Sequence, residues 1–300
     1  MAITSLTQGW VAKRLPPRPP RAHKGSFGRL LIVAGSLEYA GAALLAGLGA
    51  VRAGVGLACL ATPEAVGLRL LGLVPELTAM LLVEEAPGMT APPGWRRLAT
   101  EAPTYDALVV GPGLGRQPAT LRRTRNFLGE LRRPAVVDAD ALTALAEVQR
   151  WWQPLKTPLV LTPHPGEFAR LLRMPAGESL ADDDDQRAEA AREAAARWGQ
   201  VLVLKGAHTV VAAPDGDLLR SNIATPALAS AGSGDVLAGA IGAFLAAGLT
   251  PFDAAGCGVA VHGAAGLLAE DRIGRAGVVA RDVANLLPTA IEQLRGGRRS

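Results

Sequence analysis

Short apolar runs alternate along this 300-residue chain with longer helical stretches, and most of the short runs end in glycine or a polar residue. Leu30–Ala34 runs into Gly35-Ser36, and Gly41–Ala53 follows as an Ala- and Leu-rich helix stopped by Gly54. Leu57–Ala61 reads as a strand and Glu64–Leu71 as a helix. Ala107–Val110 ends in Gly111-Pro112-Gly113-Leu114-Gly115, with a helix over Ala119–Leu131. Ala135–Val137 ends at Asp138, and Leu159–Leu161 ends in Thr162-Pro163-His164-Pro165-Gly166-Glu167. A helix over Asp184–Trp198 precedes Val201–Leu204, which ends in Lys205-Gly206. Thr209–Ala213 and Asp217–Ser221 flank Asp215-Gly216, a hairpin signal. Asp235–Ala247, Pro251–Glu270 and Arg281–Leu294 are helical in pattern. Uniformly apolar strands separated by helices predict an α/β protein: a mostly parallel sheet, helices on both faces, and an antiparallel edge. Ligands bind such sheets at the carboxyl ends of the strands. The distinctive polar residues of this chain gather there.

The ends of the chain read differently from its body. Residues 1–37 contain no acid but carry Lys13, Arg14, Arg18, Arg21, Lys24 and Arg29, and the other end adds Arg295, Arg298 and Arg299. Removing those nine from 31 basic residues leaves 22 against 27 acids, so the body is acidic although the net charge is +4. No basic stripe with interleaved aromatics crosses the body, which argues against a nucleic-acid partner. Pro16, Pro17, Pro19 and Pro20 exclude a helix around them, so residues 1–28 read as an irregular, extended segment. We divide the chain into a Pro/Arg-rich leader (1–23), one α/β domain (24–295) and a basic tail (296–300). The N-terminus lacks an apolar h-region, and the longest apolar stretch, Val236–Leu249, is too short for a bilayer. The expectation is a cytoplasmic protein with no membrane partner. Cys59 and Cys257 sit in small apolar surroundings and read as buried free thiols, and no metal-ligand spacing is present.

Several segments carry chemistry. Ala231-Gly232-Ser233-Gly234-Asp235 opens an apolar helix, where bare glycine backbone and a helix N-terminus suit an anion. An acid there would repel a phosphate. Asp235 is either a helix cap or a general base that takes a proton from an attacking alcohol; the small residues ahead of it favour the base. Lys205-Gly206-Ala207-His208-Thr209 links two strands, in a chain with only four lysines, and reads as a solvated turn or a contact to nucleotide phosphates. The Gly111–Gly115 turn admits a phosphate or a ribose, or is simply tight; it lacks the dinucleotide spacing. His164 stands between two prolines as a substrate contact or as scaffold, and Glu167 as a possible cap of the next helix. Asp138 and Asp140 flank Ala139 as metal candidates or a helix cap. The acidic run Asp182–Asp185 reads as a helix start, and Trp151-Trp152 as packing between helices.

The ordered set of segments resembles the ADP-dependent NAD(P)H-hydrate dehydratases in their stand-alone form. The resemblance rests on Lys24–Arg29 with Leu31–Ser36, Tyr39–Ala43, Gly111–Gly115, Asp138–Leu142, Thr162–Glu167, Lys205–Thr209 and Ala231–Leu237. It spans roughly residues 24–290; Asn222–Pro226 is less Gly-rich than the family's pattern. The resemblance implies a ribokinase-like three-layer sandwich. It implies dehydration of the S form of 6-hydroxylated NADH or NADPH, driven by ADP or ATP as co-substrate with Mg2+. By the same resemblance Lys205, Gly206, Ala207, His208, Thr209, Gly232, Ser233 and Gly234 bind the nucleotide. Ala42, Gly113, His164 and Asp235 line the NAD(P)H-hydrate site, and Asp235 is catalytic. Asp138 and Glu167 remain the metal candidates. The family also implies a homo-oligomer, a tetramer, working with a separate NAD(P)H-hydrate epimerase, since a 28-residue leader is too short to hold one. A small-molecule alcohol kinase of the same fold and a non-catalytic nucleotide-binding module are the alternatives.

Overall fold

The computed structural model describes residues 3–70, 72–175, 178, 180 and 182–296. Its strands are, in chain order, β1 (Thr4–Ser5), β2 (Arg29–Val33), β3 (Leu57–Pro63), β4 (Thr78–Leu82), β5 (Glu84–Ala86), β6 (Met89–Thr90), β7 (Ala107–Val110), β8 (Ala135–Val137), β9 (Leu159–Leu161), β10 (Val201–Leu204), β11 (Val210–Ala212) and β12 (Leu218–Arg220). Ten of them form one sheet in the order β1-β12-β11-β10-β9-β8-β7-β2-β3-β4, while β5 and β6 form a small hairpin apart. Every neighbouring pair in the large sheet is parallel except β10–β11 and β11–β12. The single reversed strand comes from the hairpin expected across Asp215-Gly216.

The helices are α1 (Gln8–Ala12), α2 (Ala40–Ala53), α3 (Glu64–Leu70), α4 (Pro92–Glu101), α5 (Pro118–Glu130), α6 (Asp140–Ala146), α7 (Pro165–Leu172), α8 (Asp184–Trp198), α9 (Ser233–Ala246), α10 (Pro251–Ile273) and α11 (Ala280–Leu294). Successive strand residues point to opposite faces, and this period sorts the core into two halves. Leu30, Ile32, Val109, Val136 and Val203 pack with α2, α9, α10 and α11. Leu31, Val33, Leu108, Val110 and Leu204 pack with α4 to α8. Both faces of the central strands are dry, which is why those strands are apolar at every position. Helices α2 and α9 touch backbone to backbone: a Cβ on Gly239 would overlap the Ala46 carbonyl. That approach sets the start of α9 beside the start of α2. Trp151 is buried against Trp198 and Trp152, ring centroids 4.8 and 5.6 Å away, so the tryptophan pair serves packing as expected.

The irregular leader is corrected. The proline cluster bars a helix only where it stands, at residues 16–20, and α1 lies ahead of it. The Thr7 side chain accepts from the Trp10 amide and caps α1, Val11 is fully buried, and Arg14 Nε lies 2.7 Å from Asp253 Oδ1 on α10. β1 extends the sheet beside β12. Strand β4 also escaped the sequence reading; it is an edge strand, and of its five residues only Met80 and Leu82 are buried. The 23 residues of α10 are by length and composition enough to cross a bilayer, but 72% of their apolar window is buried within the fold. Cys59 and Cys257 are free and buried. Leu71, the last residue of the helix expected over Glu64–Leu71, and residues 297–300 of the basic tail lie outside the described residues.

Candidate active site

Strands β10, β9, β8, β7 and β2 are consecutive neighbours, so the five polar strand ends read from the sequence share one rim of the sheet. Lys205, Thr162, Asp138, Gly111 and Ala34 follow the last residues of these strands in that order. The crossing of β7 into its loop depends on glycine. Gly111 has φ +130°, and a Cβ there would overlap the backbone carbonyl of Asp138. Gly113 in turn packs against Tyr39 and Ala42 at the start of α2. Asp140 fastens this loop, accepting from the Gly115 amide and from Arg116 Nε, both at 2.9 Å. Of the two aspartates beside Ala139, only Asp138 faces the crevice lysine.

Helix α9 rises from the same rim. Its N-cap is Gly232, in the left-handed region at φ +86°, so Asp235 is not the cap but sits within the first turn. The Ser233 amide donates to Ser230 O and the Val236 amide to Gly232 O, at 3.2 Å each. Among the described residues the amides of Gly232, Gly234 and Asp235 have no acceptor. Together with the positive end of a 14-residue helix, they make a turn suited to an anion. The Asp235 carboxylate makes no side-chain hydrogen bond among the described residues. Burial first, then the neighbouring Asp138, push its pKa from 3.8 up to about 7, against the pull of Lys205. A carboxyl that titrates near neutrality is suited to general-base work.

Lys205 Nζ lies 2.8 Å from Asp138 Oδ1 and 4.0 Å from Glu167 Oε2. Burial depresses its pKa, but Asp138, Glu167 and Asp235 outweigh that and leave it raised, so the ammonium stays charged. A Cβ on Gly234 would come within 3.3 Å of this nitrogen, which places the ammonium at the anion turn. Beside them opens a cavity of about 500 Å³. Lys205, Gly206, Ala207 and Thr209 line one side of it, Ser233 and Gly234 its floor, and Ile223, Leu228, Leu237 and Val259 its apolar wall. The less glycine-rich 222–226 segment thus lines the cavity through Ile223, Ala224, Thr225 and Pro226.

His208 does not join this group. It has φ +51°, its Nδ1 is 2.6 Å from Asp184 Oδ2, and it lines a separate cavity of about 280 Å³ with Arg220 and Asn222. His164 is the N-cap of α7: its Nδ1 accepts from the Gly166 and Glu167 amides, and Glu167 Oε2 accepts the His164 amide at 2.9 Å. Its ring is half exposed and its pKa is lowered, mainly by burial, so it is a neutral group at the rim. Scaffold and contact are therefore compatible roles for one imidazole. As for a metal, no cluster of three or more His, Cys, Asp or Glu side chains among the described residues is placed to hold an ion. Asp138 and Glu167 bring two carboxylates to the rim, both beside Lys205 Nζ and too few for a cage of protein ligands alone.

Two residues of this site were missed from the sequence. Arg187 on α8 is buried beneath the loop that follows β10 and donates to Ala207 O at 2.9 Å and Lys205 O at 3.2 Å. Its signal was a charge on the buried stripe of α8, in line with Ala191, Ala194 and Trp198. His262 on α10 is buried under the anion turn, within hydrogen-bond reach of Ser233. Its signal was a lone histidine in an otherwise small and apolar segment.

A family model described as NAD(P)H-hydrate dehydratase matches residues 30–289. The chain belongs to this family. The NAD(P)H-hydrate dehydratase fold is ribokinase-like, as the sequence reading expected. The ADP-dependent (S)-NAD(P)H-hydrate dehydratase of Bacillus subtilis is 35% identical over 290 residues, covering 96% of this chain and 98% of that one. A crystal structure of the ADP/ATP-dependent NAD(P)H-hydrate dehydratase from Bacillus subtilis, co-crystallised with ATP/Mg2+, superposes with a TM-score of 0.83 at 34% identity, covering 98% of this chain and 99% of that one. The bifunctional NAD(P)H-hydrate repair enzyme of Moorella thermoacetica is 42% identical over 289 residues, which are 96% of this chain and 54% of that enzyme. The chain spans about half the length of such bifunctional relatives.

Proposed function

We propose that this member of the family dehydrates the S form of 6-hydroxy-NADH or 6-hydroxy-NADPH, consuming ADP or ATP as phosphoryl donor. The observation that carries the reading is the Asp235 carboxylate, held near pKa 7 in the first turn of an anion-binding helix beside a nucleotide-sized cavity. The adenosine part of the nucleotide occupies the apolar wall of Ile223, Leu228, Leu237 and Val259. Its phosphates meet the amides of Gly232, Gly234 and Asp235 and the ammonium of Lys205. The hydrated nicotinamide ring enters from the side of Ala42, Gly113 and His164. Asp138 and Glu167 are the residues that would help hold Mg2+, which would supply charge neutralisation when bound.

Hydroxide is a poor leaving group, and the kinase-like layout answers that problem. Asp235 takes the proton of the ring 6-hydroxyl. The oxygen attacks the terminal phosphoryl of ADP, a new O–P bond forms, and the bond to the departing AMP breaks. The free amides and Lys205 hold the charge that spreads over the transferring group. The C6–O bond then breaks, phosphate leaves, the ring nitrogen lone pair supplies the electrons, and loss of a C5 proton restores the ring double bond. The balance is hydrate plus ADP giving NAD(P)H, AMP, phosphate and a proton.

The test mixes the protein with hydrated NADH, Mg2+ and either nucleotide, and follows absorbance at 340 nm together with free phosphate. Return of the absorbance with equimolar phosphate is expected. A stable phosphoester instead would make the protein an alcohol kinase, and nucleotide binding with neither product would leave only a binding module.

A further inference from the structure

Ser233, the first residue of α9, is held from below by His262 of α10. The Nε2 atom of His262 lies 3.0 Å from the Ser233 carbonyl oxygen and 3.0 Å from its Oγ. A carbonyl oxygen only accepts, so Nε2 carries a hydrogen. The Ser233 hydroxyl therefore meets an N–H, not a lone pair, and takes it as acceptor. Its own hydrogen is left for another partner, and the open partner at this position is whatever anion occupies the turn. Burial keeps the imidazole neutral, with a pKa of about 4, so His262 adds no charge of its own beneath the phosphates. Its one N–H also ties down the first carbonyl of α9 and braces the turn as the Gly234 and Asp235 amides pull on a ligand.

We propose that His262 is a positioning residue that makes the Ser233 hydroxyl a hydrogen-bond donor to the nucleotide phosphates. The inference rests on the reading of the α9 turn as a nucleotide-phosphate site. It goes beyond that reading by assigning a buried residue of another helix to the selectivity for phosphorylated over unphosphorylated nucleoside.

The experiment measures binding of ADP and of adenosine by calorimetry for the parent, Ser233→Ala, His262→Ala, His262→Gln and the Ser233→Ala/His262→Ala double variant. A donor to a charged group is worth roughly a 10- to 100-fold change in affinity. Ser233→Ala and His262→Ala are each expected to weaken ADP by that factor and to leave adenosine within a few-fold of the parent. His262→Gln, which restores an N–H donor, is expected to recover most of the loss. In the double variant the two losses should not add. Equal loss of ADP and adenosine in His262→Ala would make His262 a plain wall of the cavity and overturn the proposal. So would an unchanged ADP affinity in Ser233→Ala, a variant that leaves the His262 contact to the Ser233 carbonyl in place. A parent protein that binds adenosine as well as ADP would overturn the phosphate-site reading itself, a result visible before any variant is made.

Discussion

Lys205 Nζ and Asp138 Oδ1 stand 2.8 Å apart across the carboxyl ends of β10 and β8, joining residues 67 positions apart in the chain. Asp138 is 1% exposed and the Lys205 side chain 19%, so the carboxylate is the dry member of the pair. An incoming phosphate competes with Asp138 for one ammonium. Deleting the lysine leaves a buried carboxyl without its partner, and such losses run to about 3–5 kcal/mol. Lys205→Met is expected to lose stability on that scale in urea denaturation and to lose nucleotide binding in calorimetry. Pairing it with Asp138→Leu should return much of the stability and none of the affinity, because the second change removes the stranded carboxyl but not the need for a cation. A Lys205→Met protein as stable as its parent would show that the pair does not hold these strand ends.

Asp235 is expected to act in its ionised form. With a pKa of about 7, kcat/KM should fall about tenfold per pH unit below that point and level off above it. Asp235→Asn should cut turnover by about 10²–10⁴ and abolish that limb. It should not weaken ADP binding, since a like charge beside the phosphates is gone. Steady-state kinetics from pH 5.5 to 8.5, with ADP affinity measured separately, distinguish this from general damage to the site. Turnover near the parental level in Asp235→Asn would end its assignment as base.

The alternation of short apolar runs and helices was enough to place the parallel sheet, and the residues after each run marked the rim of the crevice. Lys205, Asp138 and Asp235 were all visible in the sequence as separate signals. Their mutual arrangement was not, because it depends on strand order: β8 and β10 flank β9, and only the assembled sheet brings Asp138 to Lys205. The local role of His164 was half legible, since a histidine followed by Pro165 and Glu167 makes a capped helix start as readily as a ligand. Helix α1 was hidden by prolines that lie beyond its end. Arg187 and His262 were passed over because each lies inside a helix that reads as ordinary packing, and their partners are backbone carbonyls or a hydroxyl on distant segments.

The Arg187 guanidinium bridges the carbonyls of Lys205 and Ala207, and Nη1 also reaches Asp184 Oδ1 at 3.4 Å. With those carbonyls turned down toward α8, the loop that follows Lys205 is held against the cavity. Arg187→Met keeps the packing stem but leaves the buried acceptors unpaired, at about 1–3 kcal/mol. Thermal denaturation should register that loss, and KM for ADP should rise roughly tenfold while kcat changes less. Arg187→Lys should not rescue it, because a single ammonium lacks the planar fork that spans two carbonyls. An unchanged KM in either variant would mean that the loop keeps its shape without the guanidinium.

The same pKa that suits Asp235 to its chemistry should strain the fold. Its carboxyl holds a proton more tightly in the native protein, at about 7, than at the ordinary value of 3.8. Between those two values the folded state binds more protons than the unfolded chain, so stability falls as pH rises through the window. Each unit of difference corresponds to about 1.4 kcal/mol, and because Asp235 is partly open to solvent we take the effect as on the order of 2 kcal/mol. Asp235→Asn removes the ionisation. The variant is expected to be more stable than the parent by that amount at pH 8, and about equal to it near pH 4, where the native carboxyl is already protonated. Urea denaturation at the two pH values measures both differences. A variant that gains nothing at pH 8 would mean that ionising this carboxyl in the crevice carries no penalty, and that Asp235 is not a base tuned to neutrality.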